Sequence, residues 1–130
     1  MTRTILLVDD NEVNLKLARA ILTACGYEVV EAATGGQALA IAQAQPPALI
    51  LLDMQLPDLD GLEVLAQLRT LPEMKDVPIV AMTAQAMVGD RQRFLAAGCD
   101  GYISKPISVR TFALEVERYF ARGSKEAAGS

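Results

Sequence analysis

The chain has 130 residues, 52% of them hydrophobic and 22% charged, which suits one globular domain with a continuous core and is too apolar for a disordered chain. Twelve basic residues against sixteen acidic ones leave a net charge of −4, so the electrostatic footprint of a nucleic-acid binder is missing. Histidine is absent, which excludes a His nucleophile, a His general base and most zinc sites built from this chain alone.

The first ten residues, Met1–Asp10, hold too short an apolar stretch for a secretory signal, and Thr4–Val8 within them reads as a first strand ending on Asp9 and Asp10. Asn11 and the acids before it offer N-cap side chains. Glu12–Cys25 then carries Leu15, Ala18, Ile21, Leu22 and Cys25 at helical spacing before Gly26. Glu28–Ala32 is a second strand, Thr34-Gly35-Gly36 a turn, and Gln37–Gln45 a second helix stopped by Pro46-Pro47. Leu49–Asp53 is apolar up to its final acid, the pattern of a strand buried on both faces, and Pro57 and Gly61 prevent its continuation. Gly61–Leu71 is a third helix with Leu62, Leu65 and Leu68 inward, followed by a proline-bracketed loop over Pro72–Pro78. Pro78–Met82 is a fourth strand ending on Thr83.

Ala86–Ala97 is a polar helix with few large apolar anchors, which suits a mobile element, and Gly98 closes it. Gly101–Ser104 is a short fifth strand leading into Lys105-Pro106. Ser108 caps a last helix whose apolar face is Phe112, Val116, Tyr119 and Phe120. The expected domain covers residues 1–122, and residues 123–130 read as a flexible tail. Met54, Met82 and Met87 suit core filling, and Cys25 and Cys99, each beside a glycine, suit small buried thiols in a reducing cytoplasm. The longest apolar runs, Ala38–Ala42 and Ala48–Leu52, are far below the roughly 20 residues of a membrane span, and no basic amphipathic helix suggests a membrane surface.

Strand and helix alternate five times, which predicts an α/β fold: a three-layer, doubly wound, five-stranded parallel sheet with helices on both faces. Strand order 2-1-3-4-5 sets the first and third strands side by side at a topological switch point, where ligands bind beyond the strand ends. Asp9, Asp10 and Asp53 then share one crevice, joined by Thr83 and Lys105 from the next strand ends. Three carboxylates so placed repel one another, and a hard divalent cation such as Mg²⁺, held by two carboxylates and a backbone carbonyl, relieves that repulsion. A carboxylate there can also act as nucleophile toward phosphorus, with Mg²⁺, the Lys105 ammonium and the Thr83 hydroxyl each taking one phosphoryl oxygen. Taken singly, each residue has a plainer role: a helix cap for Asp9 and Asp10, a turn acid for Asp53, strand filler for Thr83 and Tyr102, a solvated charge for Lys105. Their meeting in one crevice is the functional signal.

These residues carry a resemblance. Leu7–Asn11, Leu52–Gly61, Met82-Thr83-Ala84, Gly98–Tyr102 and Ser104-Lys105-Pro106, in this order and at these intervals, make the chain similar to the receiver domain of two-component response regulators up to about Arg122. It resembles the stand-alone receivers, and over residues 84–108 the DivK type. The resemblance implies that Asp53 accepts a phosphoryl group from a phosphohistidine on a histidine kinase or histidine phosphotransfer protein. It further implies that Asp10, Asp53 and the main-chain carbonyl of Gln55 ligate Mg²⁺, with Asp9 acting mainly through water. Thr83 and Lys105 would contact the phosphoryl group, Tyr102 would be an aromatic switch, and a cis peptide at Pro106 would aim Lys105. The output would be altered binding of a downstream protein target.

Other classes remain open on sequence. An aspartate-nucleophile phosphatase carries Asp-x-Asp after its first strand, whereas here the two aspartates are adjacent and Asn11 follows. A flavodoxin-like mononucleotide binder needs a glycine-rich phosphate loop where this chain has acids. A receiver excised from a larger hybrid protein would give the same pattern.

Overall fold

A computed structural model describes residues 3–83 and 88–129, with side chains described for 3–83 and 92–120. Five strands, β1 (Thr4–Val8), β2 (Glu28–Ala32), β3 (Leu49–Asp53), β4 (Ile79–Thr83) and β5 (Gly101–Ser104), form one sheet of order β2-β1-β3-β4-β5. Every neighbouring pair is parallel. Between them run α1 (Glu12–Ala24), α2 (Gly35–Ala44), α3 (Gly61–Arg69) and α4 (Val88–Ala97), and α5 (Phe112–Gly129) closes the chain. This is the doubly wound architecture that the alternation predicts.

Alternate strand residues feed two cores, which is why the central strands read as unbroken apolar runs. Leu6, Val8, Ile50, Leu52, Ile79 and Ala81 pack against α2, α3 and α4 through residues such as Ala38, Val64, Leu68 and Phe94. Ile5, Leu7, Leu49, Leu51, Val80 and Met82 pack on the other face against Ala18 and Leu22 of α1 and Phe112, Val116 and Phe120 of α5. The edge strand β2 is only half covered, and its Glu28 and Glu31 discourage pairing with another sheet.

Local chemistry moves several boundaries from their expected places. Gly35 and Gly36 open α2 rather than forming a free turn, because Thr34 Oγ1 accepts the Gln37 N–H at 3.1 Å and caps the helix. Val64, not Leu62, joins Leu65 and Leu68 as a fully buried residue of α3. The proline-bracketed loop contains a 3-10 turn over Pro72–Met74. Ser108 caps through its carbonyl, which accepts the amides of Thr111 and Phe112, so α5 starts later than its side chain suggested. The α5 backbone runs on through Gly129, across residues whose composition suggested a tail. Cys99 is buried, but Cys25 is exposed, because as the C-cap of α1 it sits past the buried stripe. Met54 and Met82 lie in the core, while Met87 and the expected start of the fourth helix at Ala86 fall outside the described residues. Among the described residues, no helix is long and apolar enough to cross a membrane.

One side chain braces the lower half of the molecule. Arg69, at the C-terminal end of α3, donates to the carbonyls of Met74 (2.9 Å), Val77 (3.0 Å) and Gly98 (2.8 and 3.1 Å). It also pairs with the Asp100 carboxylate at 2.8 Å, whose same oxygen accepts the Ile79 amide at 2.8 Å. Gly98 ends α4 with φ of +115°, a left-handed conformation that a side chain would strain.

Candidate functional site: an acidic crevice at the strand ends

The crevice follows from the strand order. β1 and β3 are adjacent, but the chain winds outward from them in opposite directions, leaving their carboxyl ends uncovered by a crossover. Asp9 follows β1 and Asp53 ends β3, so both acids emerge at that gap. Carboxylate oxygens of Asp9, Asp10 and Asp53 lie within 4.8 Å of one another, Asp9 and Asp53 buried and Asp10 exposed. Each buried acid is aimed by a backbone amide two residues on: Asp9 Oδ1 accepts Asn11 N–H at 2.9 Å, and Asp53 Oδ1 accepts Gln55 N–H at 3.0 Å. Asn11 in turn caps α1 by accepting the amides of Val13 and Asn14. Asn11 is thus the cap of α1 in place of Asp9 or Asp10, and Asp9 and Asp53 are both oriented as turn acids.

Lys105 enters from the end of β5. Its ammonium is 3.0 Å from Asp9 Oδ2 and 3.0 Å from Asp53 Oδ2. The Lys105–Pro106 peptide is cis, and the Lys105 amide donates to the Thr83 carbonyl at 2.9 Å. Burial works against the lysine charge, but the Asp53 and Asp9 carboxylates outweigh it and hold the ammonium above its ordinary pKa. Burial pushes the Asp53 carboxyl above the usual carboxylate range, with Asp9 adding to the rise, while the Gln55 amide and Lys105 pull it down.

Thr83 ends β4, buried, opposite Ser104 in the sheet register. Tyr102 sits half-buried on β5 and packs with the core cluster that α2, α3 and α4 cover. A shallow cavity of about 200 Å³ opens beside Thr83, lined by Met54, Gln55, Asp60, Leu62 and Phe94. Gln55 lies on an exposed loop whose ends are tied by a bridge between Gln55 and Asp60. Gly61 completes that closure: a Cβ there would overlap the backbone of Met54, so only glycine lets the strands of the loop approach.

The donor set suits a small hard cation. One ammonium faces three carboxylates, which leaves net negative charge for a divalent ion to neutralise. Oδ2 of Asp9 is buried and faces the Lys105 ammonium at 3.0 Å.

The profile of the response regulator receiver domain family matches residues 5–117. The chain belongs to that family. It is 44% identical over 119 residues to the polar-differentiation response regulator DivK of Brucella ovis, covering 92% of this chain and 97% of that one. A CheY-like receiver domain protein from Methanospirillum hungatei superposes with a TM-score of 0.89 at 32% identity, over 97% of this chain and 99% of that one. The receiver domain of a sensor histidine kinase from Pseudomonas aeruginosa gives a TM-score of 0.85 at 37% identity, over 93% and 99% of the two chains. That structure holds a magnesium ion coordinated in its active-site cleft. The chain is thus a receiver of two-component signalling, similar to DivK, and the phosphatase and flavin readings lose their footing.

Two contributions, one beside the site and one at the far end of the sheet, carry little sequence signal. Asp58 accepts the amides of Gly35 at 2.8 Å and Gly36 at 3.0 Å, joining the loop after β3 to the start of α2. The first turn of α2 has no acid, so the negative charge that its N-terminus favours has to come from outside the helix. Arg69 ends a helix, and its acceptors are mostly backbone carbonyls, which residue identity does not reveal.

Proposed function

We propose that this receiver, over residues 1–122, takes a phosphoryl group onto Asp53 from a phosphohistidine and changes its partner-binding surface in response. The observation that supports this best is the convergence of Asp9, Asp10, Asp53 and Lys105 at one set of strand ends. Asp10, Asp53 and the Gln55 carbonyl would hold Mg²⁺, with Asp9 acting mainly through water. Bound there, Mg²⁺ supplies charge neutralisation for the equatorial phosphoryl oxygens. A carboxylate oxygen of Asp53 attacks phosphorus, a P–O bond forms, the P–N bond breaks, and its electron pair returns to the partner's imidazole. Lys105, already facing Asp53, would follow the new charge, and Thr83 would offer its hydroxyl to a phosphoryl oxygen.

Phosphorylation adds about −1.5 to −2 charge units and three acceptor oxygens to the crevice. Thr83 turning toward them would leave room for Tyr102 to move inward, altering the face made by α4, β5 and α5. A coupling of about 1–3 kcal/mol would change affinity for a downstream protein about 5–150-fold. Hydrolysis by water at the same site would return the chain to its resting state, so the only chemistry it performs is on itself. The histidine kinase or phosphotransfer protein would dock where α1 meets the loop after β5, and exposed Val13 and Val109 there support an apolar contact. The expected setting is the cytoplasm.

Phosphotransfer from a labelled histidine phosphotransfer domain tests this. Label should reach the unmodified chain with Mg²⁺, and should fail with the metal chelated or in Asp53→Asn. Equal labelling of Asp53→Asn would end the proposal.

A further inference from the structure

Asp58 takes no part in the site as described, yet its carboxylate spans 23 residues of chain to meet α2. Its Oδ1 accepts Gly35 N–H at 2.8 Å and its Oδ2 accepts Gly36 N–H at 3.0 Å. Those amides belong to the first turn of α2, which has no acid of its own, so the helix draws its N-terminal negative charge from the β3–α3 loop. The same two amides hold the Asp58 carboxyl below the usual carboxylate range.

Gly35 is what admits the loop. A Cβ at Gly35 would come within 2.7 Å of Val64 Cγ2 and 3.1 Å of Leu59 Cδ1, whereas one at Gly36 would stand at an ordinary contact distance, 3.5 Å from Asp58 Oδ2. The loop is thus fastened at two places. At its root, Gln55 donates to Asp53 Oδ1 at 3.0 Å, and Gly61 donates to the Met54 carbonyl at 3.2 Å. At its tip, Leu59 packs onto the core between α2 and α3, and Asp58 grips α2.

We propose that Asp58 is a positioning residue for the metal site: by clipping the loop tip to α2 it holds the Gln55 carbonyl where Mg²⁺ needs it. The proposal rests on the reading of Asp53 as a Mg²⁺-assisted phosphoacceptor. Mg²⁺ demands near-ideal octahedral geometry, so a carbonyl ligand on a loop that samples several positions binds in proportion to the fraction correctly placed. Releasing the tip lowers that fraction while the exposed carboxylate itself contributes little to the core.

The test is Mg²⁺ titration of the full, unphosphorylated chain by calorimetry, with melting temperatures measured without metal. Asp58→Ala should bind Mg²⁺ about tenfold more weakly, the low end for residues that orient a metal's ligands. Asp58→Asn keeps one acceptor oxygen and should fall between Asp58→Ala and the unmodified chain. Metal-free melting temperatures should stay close to the unmodified chain's, which separates positioning from a general loss of stability. Asp10→Asn serves as the control for the metal site itself. Undiminished Mg²⁺ affinity in Asp58→Ala, with affinity lost in Asp10→Asn, overturns the positioning role alone. Undiminished affinity in both overturns the metal-site reading and this proposal with it.

Discussion

Replacing Lys105 by methionine perturbs the crevice where its electrostatics are most concentrated. The ammonium stands 3.0 Å from carboxylate oxygens of both Asp9 and Asp53, and the three side chains are 14%, 1% and 6% exposed. Surface ion pairs contribute about 0–1 kcal/mol, whereas breaking a buried pair by deleting one partner costs about 3–5 kcal/mol. This burial places Lys105→Met in the second class. Because Asp53 can relieve part of the repulsion by taking a proton, the loss should be near the lower end, about 3 kcal/mol at neutral pH without metal. For a domain of this size that is a fall in melting temperature of about 10 °C.

The sign of the pH dependence follows from the two raised pKa values. Lys105 contributes stability that is present below the unfolded lysine value, about 10.4, and is lost as pH rises through its higher folded value. Asp53 contributes stability that is present below the unfolded carboxylate value, about 3.9, and is lost as pH rises through its raised folded value. The deficit of Lys105→Met should therefore shrink as pH falls toward the carboxylate range, and saturating Mg²⁺ should recover part of it at neutral pH. Denaturant unfolding of Lys105→Met, Asp53→Asn and the double variant reads the coupling directly. A loss below about 1 kcal/mol, or one indifferent to both pH and Mg²⁺, would refute the reasoning, since it would mark Lys105 as an ordinary surface charge.

Two further outcomes follow from the fold. Arg69→Ala should destabilise the chain by about 3 kcal/mol in denaturant unfolding, roughly 1 kcal/mol for each of three backbone carbonyls left without its donor, and Arg69→Lys should not restore it because an ammonium cannot fork across them. Thiol alkylation of the native chain at mildly alkaline pH should stop at one cysteine, the exposed Cys25, because burial pushes the Cys99 thiol up to about 12; peptide mapping that finds Cys99 modified first would contradict the packing.

The sheet was legible because its three inner strands are buried on both faces and carry that fact as unbroken aliphatic runs, Leu49–Leu52 above all. The acidic cluster was legible for the same reason: Asp9 and Asp53 each stand where such a run stops, and the winding rule brings those ends together. What stayed hidden depends on partners remote in the chain. Gly35 and Gly36 look like a turn until Asp58 is known to grip their amides. The inward face of α3 was displaced because Leu62 and Val64 both fit a helical stripe with Leu65 and Leu68, and only the packing of Val64 against the sheet decides between them. Arg69 reads backbone carbonyls on three segments, which leave no trace in residue identity. Cys25 shows the limit of spacing at a helix end, where one more step of the same stripe already faces solvent.

The central claim is that one particular carboxylate accepts the phosphoryl group. Incubating the chain with Mg²⁺ and a small acyl phosphate, trapping with borohydride and sequencing the peptides reads the modified position directly, since an aspartyl phosphate is reduced to homoserine. Homoserine is expected at Asp53, and none when the metal is chelated. Homoserine at Asp9 or Asp10 instead, or an unmodified Asp53 in a chain that has nevertheless taken up phosphate, would contradict it.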